Sequence, residues 1–101
     1  MKLEDTCKIT LEKGKTQKVK CYKFFQTDIE RELAVHPNTE HKGITNITDV
    51  ITGYCVCKIP EDISKVKPEQ ITEALDKFVK HFTLEEIKAE FKRIEEKDNN
   101  N

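Results

Sequence analysis

The segment GITNITDVITGYCVCKIP, residues 43–60, decides the fold prediction for this chain. Its first half is rich in β-branched residues, which favour strands. The pair Thr52-Gly53 is typical of a tight turn, because glycine adopts positive φ without strain. We therefore predict one strand before this turn and a second strand over residues 54–59, ended by Pro60.

The segment before it, CKITLEKGKTQKVKCYKFF at residues 7–25, predicts a β-hairpin that turns near Gly14. Apolar and polar residues alternate on both sides of the turn, and directly opposed residues of a hairpin share a face. A loop of odd length, such as residues 13–15, satisfies both conditions. The resulting register places two pairs on the buried face, Ile9 with Val19 and Cys7 with Cys21.

The region between these two segments admits two local structures. Asp28 can cap a short helical turn, or residues 33–36 can form a short strand that Pro37 ends. We predict the strand.

Two helices are predicted for the C-terminal part of the chain. Apolar residues recur at intervals of three and four between Ile71 and Phe82, and Pro68 is placed as a first-turn proline. Thr83 and Glu86 have the spacing of a capping box, so a second helix begins there. The second helix has a narrower apolar stripe, formed by Leu84, Ile87, Phe91 and Ile94.

These elements together predict an α+β fold, a small antiparallel sheet of four or five short strands covered by two consecutive C-terminal helices. A chain of 101 residues supports one hydrophobic core, so we expect a single domain over residues 1–97 and a disordered tail at 98–101.

The net charge of −1 argues against a dedicated nucleic-acid binder, which usually carries a basic excess. The charge is unevenly distributed, since residues 1–25 hold seven lysines against three acidic residues, a net of +4 that leaves −5 for the remainder. The chain opens without an apolar signal segment and has no run long enough to span a membrane. We therefore expect a cytoplasmic protein with reduced cysteines and no membrane partner.

The four cysteines admit three interpretations. In a regular strand Cys55 and Cys57 point to the same face, so that they can line the core together with Cys7 and Cys21. A four-thiolate zinc site is the alternative, but its usual ligand pairs are separated by two to four residues, a spacing that neither pair has. A redox pair also lacks its usual two-residue gap. We predict core cysteines, with no metal and no cofactor.

A catalytic set cannot be assembled from the sequence. The histidines, His36, His41 and His81, are dispersed and lack a local signature that would pair one of them with a nucleophile. Three glycines are too few for a loop that cradles phosphates. We therefore expect no enzymatic activity.

The outer face of the N-terminal hairpin is the strongest candidate for a binding surface. Lysines alternate there with aromatic residues, which suits a phosphate backbone with stacked bases or an acidic protein surface. The alternative is that the lysines only protect an edge strand, while the aromatic residues pack under a helix. The residues of this face are Lys8, Lys18, Lys20, Tyr22 and Phe24.

Two segments, LAVHPN at 33–38 and TNITDVITGYCV at 45–56, resemble a pattern in small accessory proteins of phages and other mobile elements. The matching positions are Leu33, Ala34, Val35, His36, Thr48, Thr52, Gly53 and Val56. The resemblance covers residues 33–56 and implies a compact, non-enzymatic protein that acts by binding. Anti-defence inhibitors, which block a host nuclease or hold a signalling nucleotide, are one such class.

We therefore expect a binding protein, encoded by a phage or mobile element, that inhibits or sequesters a host defence component by occupancy. Its partner would be a host protein or a signalling nucleotide, and the chain would be a monomer or a homodimer. The alternatives are a nucleic-acid-binding regulator that uses the basic hairpin and a zinc-stabilised module that uses the four cysteines. The predicted contact residues are Lys18, Lys20, Tyr22, Thr52, Gly53 and Tyr54.

Overall fold

The computed structural model describes residues 2–11 and 14–99 of the chain. Within these residues the strands are β1 (Asp5–Thr10), β2 (Thr16–Gln26), β3 (Arg31–Pro37), β4 (Thr45–Asp49) and β5 (Cys55–Ile59). A 3₁₀ turn at Ile63–Lys65 leads to the helices α1 (Pro68–His81) and α2 (Leu84–Asn99). The strands form one antiparallel sheet in the order β1-β2-β3-β4-β5, which confirms the predicted α+β fold. Of the predicted tail at 98–101, residues 98 and 99 are the last two residues of α2, and residues 100 and 101 lie outside the described residues.

Strand β2 is long enough to have a different partner at each end. Its residues 16–21 pair with β1, whereas its residues 22–26 pair with β3. The β1–β2 hairpin therefore extends beyond β3, and the sheet curls so that β1 reaches the β4–β5 turn, where the Thr10 N–H donates to the Gly53 carbonyl at 2.8 Å.

The curled sheet buries apolar side chains on both of its faces. The face under the helices holds the larger group, the helix-side cluster, whose members include Leu33, Val35, Ile47, Ile59, Ile71, Leu75, Ile87 and Phe91. The opposite face, enclosed by the hairpin, holds the inner cluster of Cys7, Ile9, Cys21 and Ala34. Residue alternation in the strands supplies both groups, since successive side chains point to opposite faces.

The register of the β1–β2 hairpin differs from the predicted one by two residues. Cys7 lies opposite Val19, not Cys21, and the last pair is Thr10 with Thr16. The predicted pairing of Ile9 with Val19 is therefore wrong. The loop is longer than the predicted one, because Leu11 lies outside the strand and its N–H donates to the Lys15 carbonyl at 2.7 Å across the loop. A shift of two keeps every side chain on its predicted face. Residues 12 and 13 of the loop lie outside the described residues.

A β-bulge in β5 overturns the predicted arrangement of its two cysteines. Ile47 lies opposite Cys57, but the next residue of β4, Thr48, lies opposite Cys55, so Val56 is the extra residue. The inserted residue reverses the alternation, and Cys55 and Cys57 consequently lie on opposite faces of the sheet. Cys57 packs against the helix-side cluster, whereas Cys55 is exposed, so the predictions that these two cysteines share a face and that Cys55 lines the core are wrong.

The two helices begin at the predicted signals. Pro68 is the first residue of α1, and the Lys67 N–H donates to the Gln70 side chain at 2.8 Å. The Glu86 N–H donates to the Thr83 hydroxyl at 3.1 Å, as expected for a capping box at the start of α2. Neither helix, as far as it is described, is long and apolar enough to cross a lipid bilayer.

Candidate functional site

The β4–β5 turn, residues 50–54, is organised by the carboxylate of Asp49. Asp49 Oδ2 accepts hydrogen bonds from the Thr52 N–H at 2.9 Å and from the Thr52 hydroxyl at 2.7 Å. The Gly53 N–H donates to the Asp49 carbonyl at 2.8 Å. Aspartate favours such turns because its short side chain reaches backbone N–H groups two or three residues further on. The Thr52 side chain, one of the predicted contact residues, is thus buried and fully engaged within the turn.

Gly53 brings this turn into direct contact with β1. Its φ is +76°, and a Cβ at this position would lie 2.6 Å from Thr10 Oγ1 and 3.0 Å from the Lys8 carbonyl oxygen. The Thr10 hydroxyl also donates to the Thr52 carbonyl at 2.8 Å. A glycine is required here by both the backbone conformation and the close approach. The contact places the turn beside the outer face of the β1–β2 hairpin.

The outer face of the hairpin concentrates lysines. Lys8 and Lys18 lie directly opposite each other, and Lys20, opposite Thr6, is two residues further along the same face. All three lysines are exposed. In the part of the chain that the structure describes, none of their ammonium groups lies within 4.0 Å of a carboxylate. Like charges directly opposite each other destabilise a strand pair, so this face costs stability in the isolated chain.

A shallow cleft of about 380 Å³ joins the hairpin to the turn. Lys8, Thr10 and Thr16 line its hairpin side, and residues 50–54 line its other side. Ile51 is 67% exposed and Tyr54 is 42% exposed, so the turn presents one aliphatic and one aromatic side chain. We call Lys8, Lys18, Lys20, Ile51 and Tyr54 the hairpin–turn surface.

The sequence alone identifies only some residues of the hairpin–turn surface. It predicts contacts at Lys18, Lys20 and Tyr54. It places Lys8 on the outer face of the hairpin without predicting a contact there, and it places Ile51 in the strand before the turn. An apolar residue directly before a Thr-Gly turn is the one signal that could have marked Ile51 as exposed. The contact between the turn and β1 is formed by residues far apart in the chain and has no local signal.

Tyr22 and Phe24 continue the same face of β2 but lie toward the helices. Their rings are stacked, with centroids 6.3 Å apart and planes inclined by 23°. Phe24 packs against the helix-side cluster, as the alternative interpretation of this face predicted, whereas Tyr22 is 44% exposed. Both line a cleft of about 440 Å³ against Pro68 and Ile71 of α1. Tyr22, two residues beyond Lys20 on β2, therefore lies at the edge of the hairpin–turn surface rather than in the cleft at the turn.

The cysteine thiols are not activated. Burial raises the pKa of Cys21 to about 12 and, on the other face, the pKa of Cys57 to about 12. Desolvation also raises the pKa of Cys7 and of Cys55. Among residues 2–11 and 14–99, no group of three or more histidine, cysteine or acidic side chains is arranged to share a metal ion.

His36 is fully buried between neighbours that satisfy both of its ring nitrogens. Nδ1 lies 2.9 Å from the Pro37 carbonyl oxygen, and because a carbonyl only accepts, Nδ1 carries the proton. Nε2 then accepts a hydrogen bond from the Thr48 hydroxyl at 2.6 Å. Burial lowers the pKa of His36, which favours this neutral form. These contacts give His36 a structural role.

Comparison with protein-family models, with curated proteins and with solved structures finds no match to this chain.

Proposed function

We propose that this protein acts by binding, and that its hairpin–turn surface binds an acidic surface of a partner protein. The observation that carries the proposal is the direct opposition of Lys8 and Lys18, with Lys20 beside them and no carboxylate within 4.0 Å of any of the three among the described residues. A partner that supplies carboxylates relieves the repulsion between these lysines, so complex formation recovers stability that the free chain lacks.

The apolar side chains of the turn favour a protein partner over a nucleic acid. Exposed Ile51 offers an aliphatic contact, which suits the centre of a protein interface better than a stack of bases. The charge of the helical region also favours a protein partner. Residues 68–96 of the helical region hold eight acidic against five basic residues, a net of −3, which repels a long polyanion.

The mode of action that we propose is occupancy without chemistry. The thiols are protonated at neutral pH, and His36 is enclosed by its own hydrogen bonds, so neither supplies a nucleophile or a base to the surface. The resemblance over residues 33–56 supplies the biological context of the proposal. In that context the protein is an inhibitor from a phage or mobile element, and its partner is a host defence protein.

The proposal is tested by affinity capture from host lysate with two charge-reversal variants. In one, Lys8, Lys18 and Lys20 are changed to glutamate; in the control, the exposed lysines Lys42, Lys65 and Lys80 are changed in the same way. Net charge is then identical in the two variants. The captured protein is purified, and its Kd is measured for wild type and both variants at low and moderate salt.

We expect the hairpin variant to bind on the order of tenfold to a hundredfold more weakly, because several charge contacts are reversed at once. The control variant should keep the wild-type Kd at moderate salt. Equal losses in both variants would show a non-specific charge effect and would overturn the proposal. Binding of a labelled single-stranded oligonucleotide through the same lysines, with a steep salt dependence, would replace it by the nucleic-acid-binding alternative.

A further inference from the structure

Strand β5 is the last strand in the order of the sheet, and β1 is the first. Strand β5 pairs with β4 along one edge, and no other strand of the described residues lies along its second edge. Helix α1 packs beside this edge, and a groove of about 570 Å³ runs between the helix and the strand. The groove is lined by Cys57 and Ile59 of β5 and by Ala74, Phe78, His81 and Phe82 at α1.

We propose that this groove binds an extended segment of a partner protein, which adds as a further strand along β5. An open strand edge offers a row of backbone N–H and C=O groups, and a flanking helix offers pockets for alternate side chains of the added strand. Strand β5 supplies the open edge and α1 supplies the flanking helix, so the groove suits a peptide in β conformation better than a compact small molecule.

The floor of the groove is suited to an apolar side chain. The rings of Phe78 and Phe82 lie 5.5 Å apart with an interplanar angle of 57°, and His81 meets Phe82 edge-on at 4.7 Å. Phe82 is 41% exposed, because α1 ends at His81 and Phe82 adopts an extended backbone. Ala74, one turn before Phe78 on the same helix, contributes a small side chain to the lining.

The charges around the groove identify the kind of segment that fits. Glu73 is engaged by Lys77 at 3.4 Å, whereas Lys58 on the strand itself has no carboxylate within 4.0 Å among the described residues. A strand with an acidic residue among its alternating apolar residues therefore complements the groove. Strand β5 of a second copy contains one lysine and no acidic residue, so it supplies no carboxylate for Lys58, and charge favours an acidic partner strand over self-association.

The experiment begins with a phage-displayed library of random seven-residue peptides, selected against the folded protein. We expect enriched sequences to alternate apolar residues and to contain an acidic residue. The best peptide is then synthesised in two forms, unmodified and N-methylated at alternate amides. N-methylation removes the donors that strand addition needs and leaves the side chains unchanged, so it should weaken binding at least about tenfold.

Two matched pairs of variants locate the bound peptide. Phe82→Ala should weaken binding about tenfold, whereas Leu84→Ala, at a residue that is 39% exposed but outside the groove, should not. Lys58→Glu should lower affinity for the acidic peptide, and Lys65→Glu, on the 3₁₀ turn, should leave it unchanged. Amide exchange should slow in β5 on peptide binding.

Three results would overturn the inference: no enrichment of extended sequences, equal binding of the N-methylated peptide, or slowed exchange on the hairpin instead of β5. A dimer of the free protein whose β5 amides are protected would also overturn it, because a second copy would then occupy the edge. Each of these results is independent of whether the hairpin–turn lysines bind their own partner.

Discussion

Arg31 donates two parallel hydrogen bonds to Asp49, from Nε to Oδ1 at 2.9 Å and from Nη2 to Oδ2 at 2.7 Å. The Asp49 side chain is fully buried, and Arg31 also donates to Glu95 of α2 and lies over the Phe91 ring at 4.5 Å. The hydrogen bonds from Arg31 to Asp49 are the main reason that the pKa of Arg31 is raised. Since Asp49 also orders the β4–β5 turn, this pair connects the turn of the proposed binding surface to the helices.

Removal of the Asp49 charge should strongly destabilise the fold. Asp49→Asn keeps the shape of the side chain but leaves a largely buried guanidinium whose one remaining ionic partner among the described residues is Glu95. We expect the free energy of unfolding, measured by urea denaturation, to fall by about 3 kcal/mol. Glu90→Gln is the control, since it removes an exposed ion pair with Arg93 on α2 and should leave stability unchanged. Wild-type stability of the Asp49→Asn protein would show that the pair does not hold the turn.

Gly53→Ala should release the turn from β1. The new Cβ would overlap Thr10 Oγ1, and alanine also disfavours positive φ, so we expect a loss of about 2–4 kcal/mol. Gly43→Ala has a similar φ of +83° but nothing within 4 Å of the new Cβ, so it should cost only about 1 kcal/mol. Thermal unfolding and exchange of the Thr10 amide measure both effects. Equal losses in the two variants would argue against a close contact at Gly53.

His36 should make stability depend on pH in a defined interval. Burial lowers the pKa of His36 in the folded chain below its ordinary 6.5, so between these two values the unfolded chain binds a proton that the folded chain does not. Stability should therefore fall as the pH drops below about 6.5, and the His36 contribution should level off below the folded pKa.

This dependence is measured by urea denaturation between about pH 7.5 and 5. The His36→Gln variant should lose the slope in this interval, whatever its absolute stability. The exposed His41 provides the control, because His41→Gln should keep the wild-type slope. A slope that persists in His36→Gln would assign the effect to another group.

The rate of alkylation should differ among the four thiols according to how deeply each one is buried. Cys55 is exposed, whereas Cys7 and Cys21 are buried in the inner cluster and Cys57 packs under α1. We expect iodoacetamide at neutral pH to modify Cys55 first and Cys21 only when the chain unfolds, as followed by peptide mass spectrometry. Cys55→Ser should remove the fast phase. Modification of Cys55 no faster than that of Cys21 would contradict the exposure of Cys55.

Local sequence signals predicted most of the secondary structure. The two helices could be predicted because their apolar spacing and their first-turn signals, Pro68 and the Thr83–Glu86 box, lie within a few residues of one another. The strands around Thr52-Gly53 followed from β-branched residues and a turn that needs glycine. The faces of the hairpin were also correct, since alternation fixes the face even when the register shifts by two.

Features that depend on residues distant in sequence could not be predicted in this way. The bulge at Val56 is set by how β5 fits against β4, so a regular alternation wrongly placed Cys55 and Cys57 together. Arg31 and Asp49 are eighteen residues apart and become partners only when β3 and β4 pair. Likewise Lys8 and Ile51 meet at one cleft only because the curled sheet brings β1 to the turn.

The most direct test of the proposed function is amide hydrogen exchange of the protein alone and in complex with the partner protein captured from host lysate. Binding at the hairpin–turn surface predicts slowed exchange in residues 5–10, 16–20 and 50–54, and the slowing should disappear with the hairpin charge-reversal variant at the same partner concentration. A stable complex in which these three segments exchange as they do in the free protein would contradict the account.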